Sequence, residues 1–96
     1  MMDQAVALYT RHAMTRAQQR GIPPLIVEWL LEFGARTPSV GADIVYFDKR
    51  SREALRRYAG RHALAKLDGL LDVYAVVAND GQVLTLGHRT KRIRSR

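Results

Sequence analysis

The chain has 96 residues, enough for one domain with a modest hydrophobic core. Its 47% hydrophobic and 26% charged residues are typical of a folded globular protein, and the absence of cysteine excludes disulfides and thiolate metal sites. No apolar stretch is long enough to cross a bilayer and no signal peptide opens the chain, so we expect a soluble cytoplasmic protein without a membrane partner.

The charge balance favours a polyanionic partner. Sixteen Lys and Arg against nine Asp and Glu give a net charge of +7 and a pI near 10.6. Thirteen of the sixteen are Arg, whose planar guanidinium suits phosphate and stacks on bases. RNA, DNA or an acidic protein surface would fit this charge. A GC-rich genome also enriches Arg, which is the alternative explanation.

The first quarter of the chain predicts a short strand followed by a helix. Residues 5 to 9 (AVALY) have strand character, and Thr10 is a suitable N-cap for a helix that runs to about Arg20. Gly21 is well placed to end this helix, because glycine readily adopts the left-handed conformation found at helix C-termini.

On this first helix, His12, Arg16 and Arg20 stand four residues apart. A helix places such positions on one side, whereas Ala13 and Ala17 form a small apolar side for close packing. Like charges at this spacing repel each other by a few tenths of a kcal/mol per pair. A binding role explains the stripe; a solvated basic face is the alternative.

A core helix and a strand are predicted next. Residues 25 to 33 (LIVEWLLEF) follow two prolines and are apolar on nearly every side except at Glu28 and Glu32, which predicts a buried helix ended by Gly34. Residues 42 to 48 (ADIVYFD) are rich in branched and aromatic side chains, which predicts a strand.

The stretch from 51 to 67 (SREALRRYAGRHALAKL) is helical by composition. Gly60 interrupts it, so we expect one helix with a weak point or two short helices. Helical spacing predicts that one set of residues faces the core: Leu55, Tyr58, Ala59 and His62. It predicts a basic outer face formed by Arg50, Arg57 and Arg61.

The last unit is a predicted β-hairpin. LDVYAVVA and QVLTLGHR flank the tripeptide Asn-Asp-Gly, a strong hairpin signal. A two-residue turn at Asp80-Gly81 would place Leu84 opposite Val77. The first strand is apolar on both faces, which predicts a central position in the sheet, and the tail from 90 to 96 shows no periodicity.

The predicted order is strand, two helices, strand, helix and hairpin. It describes a single α+β domain over residues 1 to 96, with two N-terminal helices, a further helix and a small antiparallel sheet. The sequence shows no internal repeat and no low-complexity segment.

No metal or other cofactor is predicted. The three histidines (His12, His62 and His88) are scattered, and no acidic partner stands at ligand spacing from any of them. Catalytic zinc needs three convergent ligands, and the glycines form no phosphate-binding loop.

What remains is a set of His and Arg residues near the two ends of the chain. Metal-independent RNA cleavage needs a base for the 2′-hydroxyl, an acid for the leaving oxygen and cations for the phosphate. Imidazole serves the proton transfers and guanidinium serves the charge. We therefore predict His12 as catalytic and His88 as a second acid or base, with phosphate ligands at Arg16, Arg20, Arg89, Lys91 and Arg92.

Several of these residues have a plainer interpretation. His62 is expected to pack on the inner face of its helix, and His88 to end an edge strand. Tyr46 on the predicted strand either packs in the core or stacks on a base.

Three segments, HAMTRAQQRGIPP, GADIVYFDKR and DVYAVVANDGQVLTLGHR, together resemble a family of small bacterial proteins catalogued as a domain of unknown function. Its pattern opens with H-A-x-x-R-x-x-x-R-G-I and closes with T-x-x-H-R. The match at the opening is carried by His12, Ala13, Arg16, Arg20, Gly21 and Ile22, and at the close by Thr85, His88 and Arg89.

In size, charge and order of elements this family is similar to RelE/ParE-type and BrnT-type toxins. Many of those toxins cut messenger RNA on the ribosome and are neutralised by an antitoxin. The helix from 51 to 67 departs from the toxin order. The resemblance implies an RNA-binding protein that acts as a metal-independent endoribonuclease toxin, with RNA or the ribosome and an acidic antitoxin as partners. A non-catalytic nucleic-acid-binding or protein-interaction module is the alternative.

Overall fold

The computed structural model describes residues 9 to 89. The predicted strand over 5 to 9 lies outside this range except for Tyr9, which makes a single parallel bridge to Val83. The basic tail with Lys91 and Arg92 also lies outside it. The described elements, in chain order, are helices α1 (Arg11–Gln19) and α2 (Pro24–Phe33), strands β1 (Ala35–Ser39) and β2 (Ala42–Tyr46), helices α3 (Lys49–Ala59) and α4 (Arg61–Leu67), a 3-10 turn (Asp68–Leu70), and strands β3 (Val73–Ala78) and β4 (Val83–His88).

The four strands form one antiparallel sheet in the order β1-β2-β3-β4, which confirms the α+β class and the C-terminal hairpin. One face carries the core: Val45, Ala75 and Leu86 stand in register on three neighbouring strands and are fully buried against the helices. Residues that alternate with them, such as Ile44 and Val76, are only half-buried. The central position of β3 is as predicted.

Strand β1 was not predicted from the sequence. Its residues, ARTPS, show no alternation of apolar and polar side chains. Pro38 is tolerated because β1 is an edge strand, and the Thr37 hydroxyl lies 3.2 Å from the Tyr46 hydroxyl. A two-residue turn joins β1 to β2, with Gly41 at a φ of +70°.

The loop of the C-terminal hairpin is one residue longer than predicted. The Gly81 N–H donates to the Ala78 carbonyl and the Ala78 N–H to the Gln82 carbonyl, each at 2.9 Å, so three residues form the loop. Because of this longer loop Val83, not the predicted Leu84, pairs with Val77 and is buried. A bulge between Val76 and Val77 then restores the register of a two-residue turn, with Ala75 opposite Leu86.

The stretch from 51 to 67 forms two helices that meet at Gly60, whose φ of +92° few other residues adopt. The predicted inner face is wrong at two positions: Tyr58 is 66% exposed and His62 is also exposed. Because the chain changes direction at Gly60, α4 does not continue the buried face of α3, and Leu64 is its buried residue.

Helix α3 begins two residues earlier than predicted, because Asp48 caps it instead of extending the strand. The Asp48 carboxylate accepts a hydrogen bond from the Ser51 N–H at 2.8 Å, and the Ser51 hydroxyl accepts one from the Asp48 N–H at 2.7 Å. This capping box satisfies two amide groups that would otherwise lack partners. The hydrogen bond from the Ser51 amide lowers the pKa of the Asp48 carboxyl, and that from the Ser51 hydroxyl adds to it.

Because the pKa of Asp48 is lower in the folded state, its contribution to stability is present above the unfolded-state pKa of about 4 and is lost as the pH falls through the folded value. We expect Asp48→Ala to lower the free energy of unfolding by about 1 kcal/mol at neutral pH. Asp48→Asn should keep most of this stability, because asparagine also caps helices, but lose its pH dependence. Urea denaturation of the three proteins at neutral and acidic pH measures both effects; equal pH profiles for wild type and Asp48→Asn would contradict the prediction.

None of the helices within residues 9 to 89 is long and apolar enough to span a bilayer.

Candidate functional site

Helix α1 is attached to the edge strand β4 at both of its ends. At the start, the Thr10 N–H donates to the Val83 carbonyl at 2.9 Å, and the Thr10 hydroxyl donates to the Leu84 carbonyl at 3.1 Å while capping the helix at the Ala13 N–H. Thr10 thus serves as the predicted N-cap. Ala13 and Ala17 are buried, as their small size suggested, so the helix lies close along β4.

At the other end of α1, the His88 ring is 2.7 Å from the backbone carbonyl of Arg20. A carbonyl oxygen only accepts hydrogen bonds, so His88 Nε2 carries the proton and donates it. In a neutral ring this leaves Nδ1 with a free lone pair. The His88 side chain is exposed, so this nitrogen is accessible to a ligand in solution.

His12 lies at the opposite end of α1 and contacts a different partner. The Arg16 Nε–H donates to His12 Nε2 at 3.4 Å, a long hydrogen bond between residues one helical turn apart. Since a guanidinium only donates, His12 Nε2 is the acceptor of this hydrogen bond. The structure therefore brings one predicted proton-transfer residue beside one predicted phosphate ligand.

The two predicted acid–base residues do not meet. His12 stands near the first turn of α1, whereas His88 is held by the carbonyl of Arg20 after the last turn. Eight residues of α-helix rise about 12 Å, so the two imidazoles are too far apart to act on the same phosphate. His12 with Arg16 and His88 with Arg20 are two separate positions along one edge.

Arg89 is held on the sheet rather than on this edge. Its guanidinium donates to the Phe47 carbonyl at 2.9 Å and lies 5.1 Å from the centre of the Tyr46 ring. Its backbone N–H also donates to the Asp72 carbonyl. Tyr46 is 4% exposed, so it packs beneath Arg89 and has no free face for a base. The guanidinium of Arg89 has two protein contacts that a phosphate would have to displace.

Carboxylates are absent from the segments that form this edge. Neither α1 nor β4 contains Asp or Glu, whereas arginines elsewhere in the described range form ion pairs: Arg36 with Asp43, Arg52 with Asp68 and Asp72, and Arg56 with Glu53. We call the cationic and imidazole side chains along α1 and at the end of β4 the basic edge; its members are Arg11, His12, Arg16, Arg20 and His88. Arg16 is half-buried and the other four are exposed. Its positive charge is not neutralised by any of the described carboxylates.

Tyr9, which precedes α1, is not a base for this site at neutral pH. Burial and the Glu28 carboxylate raise the pKa of its hydroxyl to about 12. The phenol therefore stays protonated and serves in packing against the core.

The long-range hydrogen bonds of His88 and Arg89 were not predicted from the sequence. The bond from His88 to Arg20 joins residues 68 positions apart, and that from Arg89 to Phe47 joins residues 42 positions apart. Neither has a local signal, although the sequence predicts both His88 and Arg89 as site residues. The predicted phosphate ligands Lys91 and Arg92 lie outside the described residues.

Within residues 9 to 89, no three His, Asp or Glu side chains stand close enough to hold a metal ion. No family model, curated protein or solved structure matches this chain. The resemblance to the family of unknown function and to RelE/ParE-type and BrnT-type toxins therefore stays a prediction, and the chemistry of the basic edge rests on its own geometry.

Proposed function

We propose that the basic edge binds the phosphate backbone of RNA. The observation that carries this proposal is the separation of charge: the basic edge has five cationic or imidazole side chains, four of them exposed, and neither α1 nor β4 contains a carboxylate. Protein stability does not require this arrangement, since like charges on one helix side repel. An anionic ligand would offset that repulsion.

The geometry suits an extended chain of phosphates better than a single anion. Arg16 and Arg20 lie one turn apart, about 6 Å along the helix, and His12 and His88 extend the line at either end. Arg offers planar, bidentate hydrogen bonds to phosphate oxygens, so each turn of α1 can serve one phosphate. RNA rather than DNA follows from the resemblance described above.

A second candidate is a metal-independent endoribonuclease toxin, and the contact between His12 and Arg16 favours it. An imidazole with a guanidinium at hydrogen-bond distance provides a proton-transfer group and a phosphate ligand at the same point. His88 is too distant to be the acid at that phosphate. The His12 imidazole would therefore take the proton of the 2′-hydroxyl and then give a proton to the leaving oxygen. An acidic antitoxin would bind the same edge by charge complementarity.

The binding proposal is tested by removing the two arginines together. If Arg16 and Arg20 contact phosphates, Arg16→Ala/Arg20→Ala should weaken the affinity for RNAs of unrelated sequence to a similar degree. The dependence of log K on log salt concentration should flatten by about one unit per lost contact. Fluorescence anisotropy with labelled RNA over a series of salt concentrations measures both quantities.

The matched control is Arg61→Ala/Lys66→Ala, which removes the same charge from α4, where both side chains are exposed. It should reduce affinity only slightly and leave the salt slope nearly unchanged. Equal losses in the two double variants would show that net charge alone drives binding, and the basic edge would then have no special role.

A further inference from the structure

Helices α2 and α3 share an apolar surface that includes none of the basic-edge residues. On α2, Leu25, Trp29 and Phe33 are spaced four residues apart, so they lie along one side of the helix. Leu25 is 46% exposed and the other two are half-buried. On α3, Tyr58 is 66% exposed and its ring is 5.2 Å from that of Phe33. We call these four side chains the aromatic patch.

The two helices flank the aromatic patch with opposite charges. By helical spacing, Glu28 and Glu32 lie on the outer side of α2, next to Leu25. Arg57 directly precedes Tyr58 on the outer side of α3. By helical spacing Arg50 lies on that same side, near the start of the helix. All four charged side chains are exposed, and none forms an ion pair within residues 9 to 89.

We infer that the aromatic patch is the interface of a symmetric dimer of this chain. A two-fold axis through the patch places the same surface of each subunit against the other, so the α2 of one copy faces the α3 of its partner. The carboxylates of one copy then oppose the guanidiniums of the other on both sides of the axis. A uniformly acidic partner would repel the carboxylates of α2, and a uniformly basic partner would repel the guanidiniums of α3. A second copy is complementary to both sets of charges.

This inference does not depend on RNA binding. The basic edge lies on α1 and β4, and none of its residues belongs to the aromatic patch, so dimer formation leaves it exposed. The dimer would present two basic edges related by the two-fold axis. Loss of the dimer and loss of RNA binding are therefore separate results.

Charge reversal on the full chain tests the pairing. Wild type should have twice the monomer mass of 10.9 kDa by light scattering. Glu28→Lys/Glu32→Lys and Arg50→Glu/Arg57→Glu should each be monomeric. In each variant α2 and α3 carry charges of the same sign, so the two copies repel each other across the interface. An equimolar mixture of the two variants should regain the double mass, since every opposing pair is again of opposite sign.

Trp29 is the only tryptophan in the chain and belongs to the aromatic patch, so its fluorescence reports on the same surface. Its emission should shift to longer wavelength when wild type is diluted, and should not change when either variant is diluted alone. Circular dichroism establishes that both variants fold. A monomeric wild type at all concentrations, or two folded variants that do not associate when mixed, overturns the dimer and leaves the patch to a different partner.

Discussion

If the chain is an endoribonuclease, as the second candidate function has it, His12→Ala is expected to lower the rate of RNA cleavage by about 10²- to 10⁴-fold, the usual contribution of a general acid or base. The side chain is exposed and its hydrogen bond partner in the structure is Arg16, on the same helix, so the fold should persist without it. RNA affinity should change far less than rate, because Arg16 and Arg20 remain. Cleavage of end-labelled RNA, followed by gel in the presence of EDTA, measures the rate of the metal-independent reaction.

The matched control is His62→Ala, which removes an exposed histidine from α4 and should leave cleavage unchanged. Induction of the same variants in a bacterial host gives a second measurement, because a toxin arrests growth and an inactive variant does not. If His12→Ala cleaves RNA as fast as wild type, or if wild type binds RNA without cleaving it, the chain is a binding module and the catalytic candidate is wrong.

Gly34→Ala is expected to destabilise the fold by about 1–3 kcal/mol, as overpacking of a core usually does. A Cβ at this position would lie 2.5 Å from the Leu30 carbonyl oxygen and 2.8 Å from Val45 Cγ1. Leu30 and Val45 are completely buried, so neither can move aside without disturbing the core. For a domain of this size each kcal/mol corresponds to a fall of about 4–8 °C in Tm.

Gly69→Ala is the control for this substitution, because no atom lies within 4 Å of the added Cβ and the residue sits in the 3-10 turn without a left-handed φ. It should be neutral or stabilise the protein by about 0.4–1 kcal/mol, since alanine reduces the entropy of the unfolded chain. Thermal unfolding of the two variants beside wild type measures the difference. Equal Tm values would mean that the tight contact at Gly34 relaxes at no cost.

Local signals in the sequence determined where most elements begin and end. Thr10 caps α1 through its own hydroxyl and Gly60 separates α3 from α4, and both effects act within a few residues. The apolar residues on both faces of β3 predicted the central strand, and the turn residues after it predicted the hairpin. The His12–Arg16 contact could also be predicted from the sequence, because a helix brings residues four positions apart together.

Only the tertiary structure decided the features that depend on distant partners. The residues of β1 have no strand pattern of their own, and they pair because β2 offers an unpaired edge. The bulge between Val76 and Val77, which leaves Leu84 outside the pairing of the two strands, was not predicted from the sequence. His62 is exposed and not on the predicted inner face, because the direction of α4 after Gly60 is set by packing and not by the helical period of α3. The small side chains of Ala13 and Ala17 predicted that α1 packs closely, but the direction in which it runs along β4 separates His12 from His88.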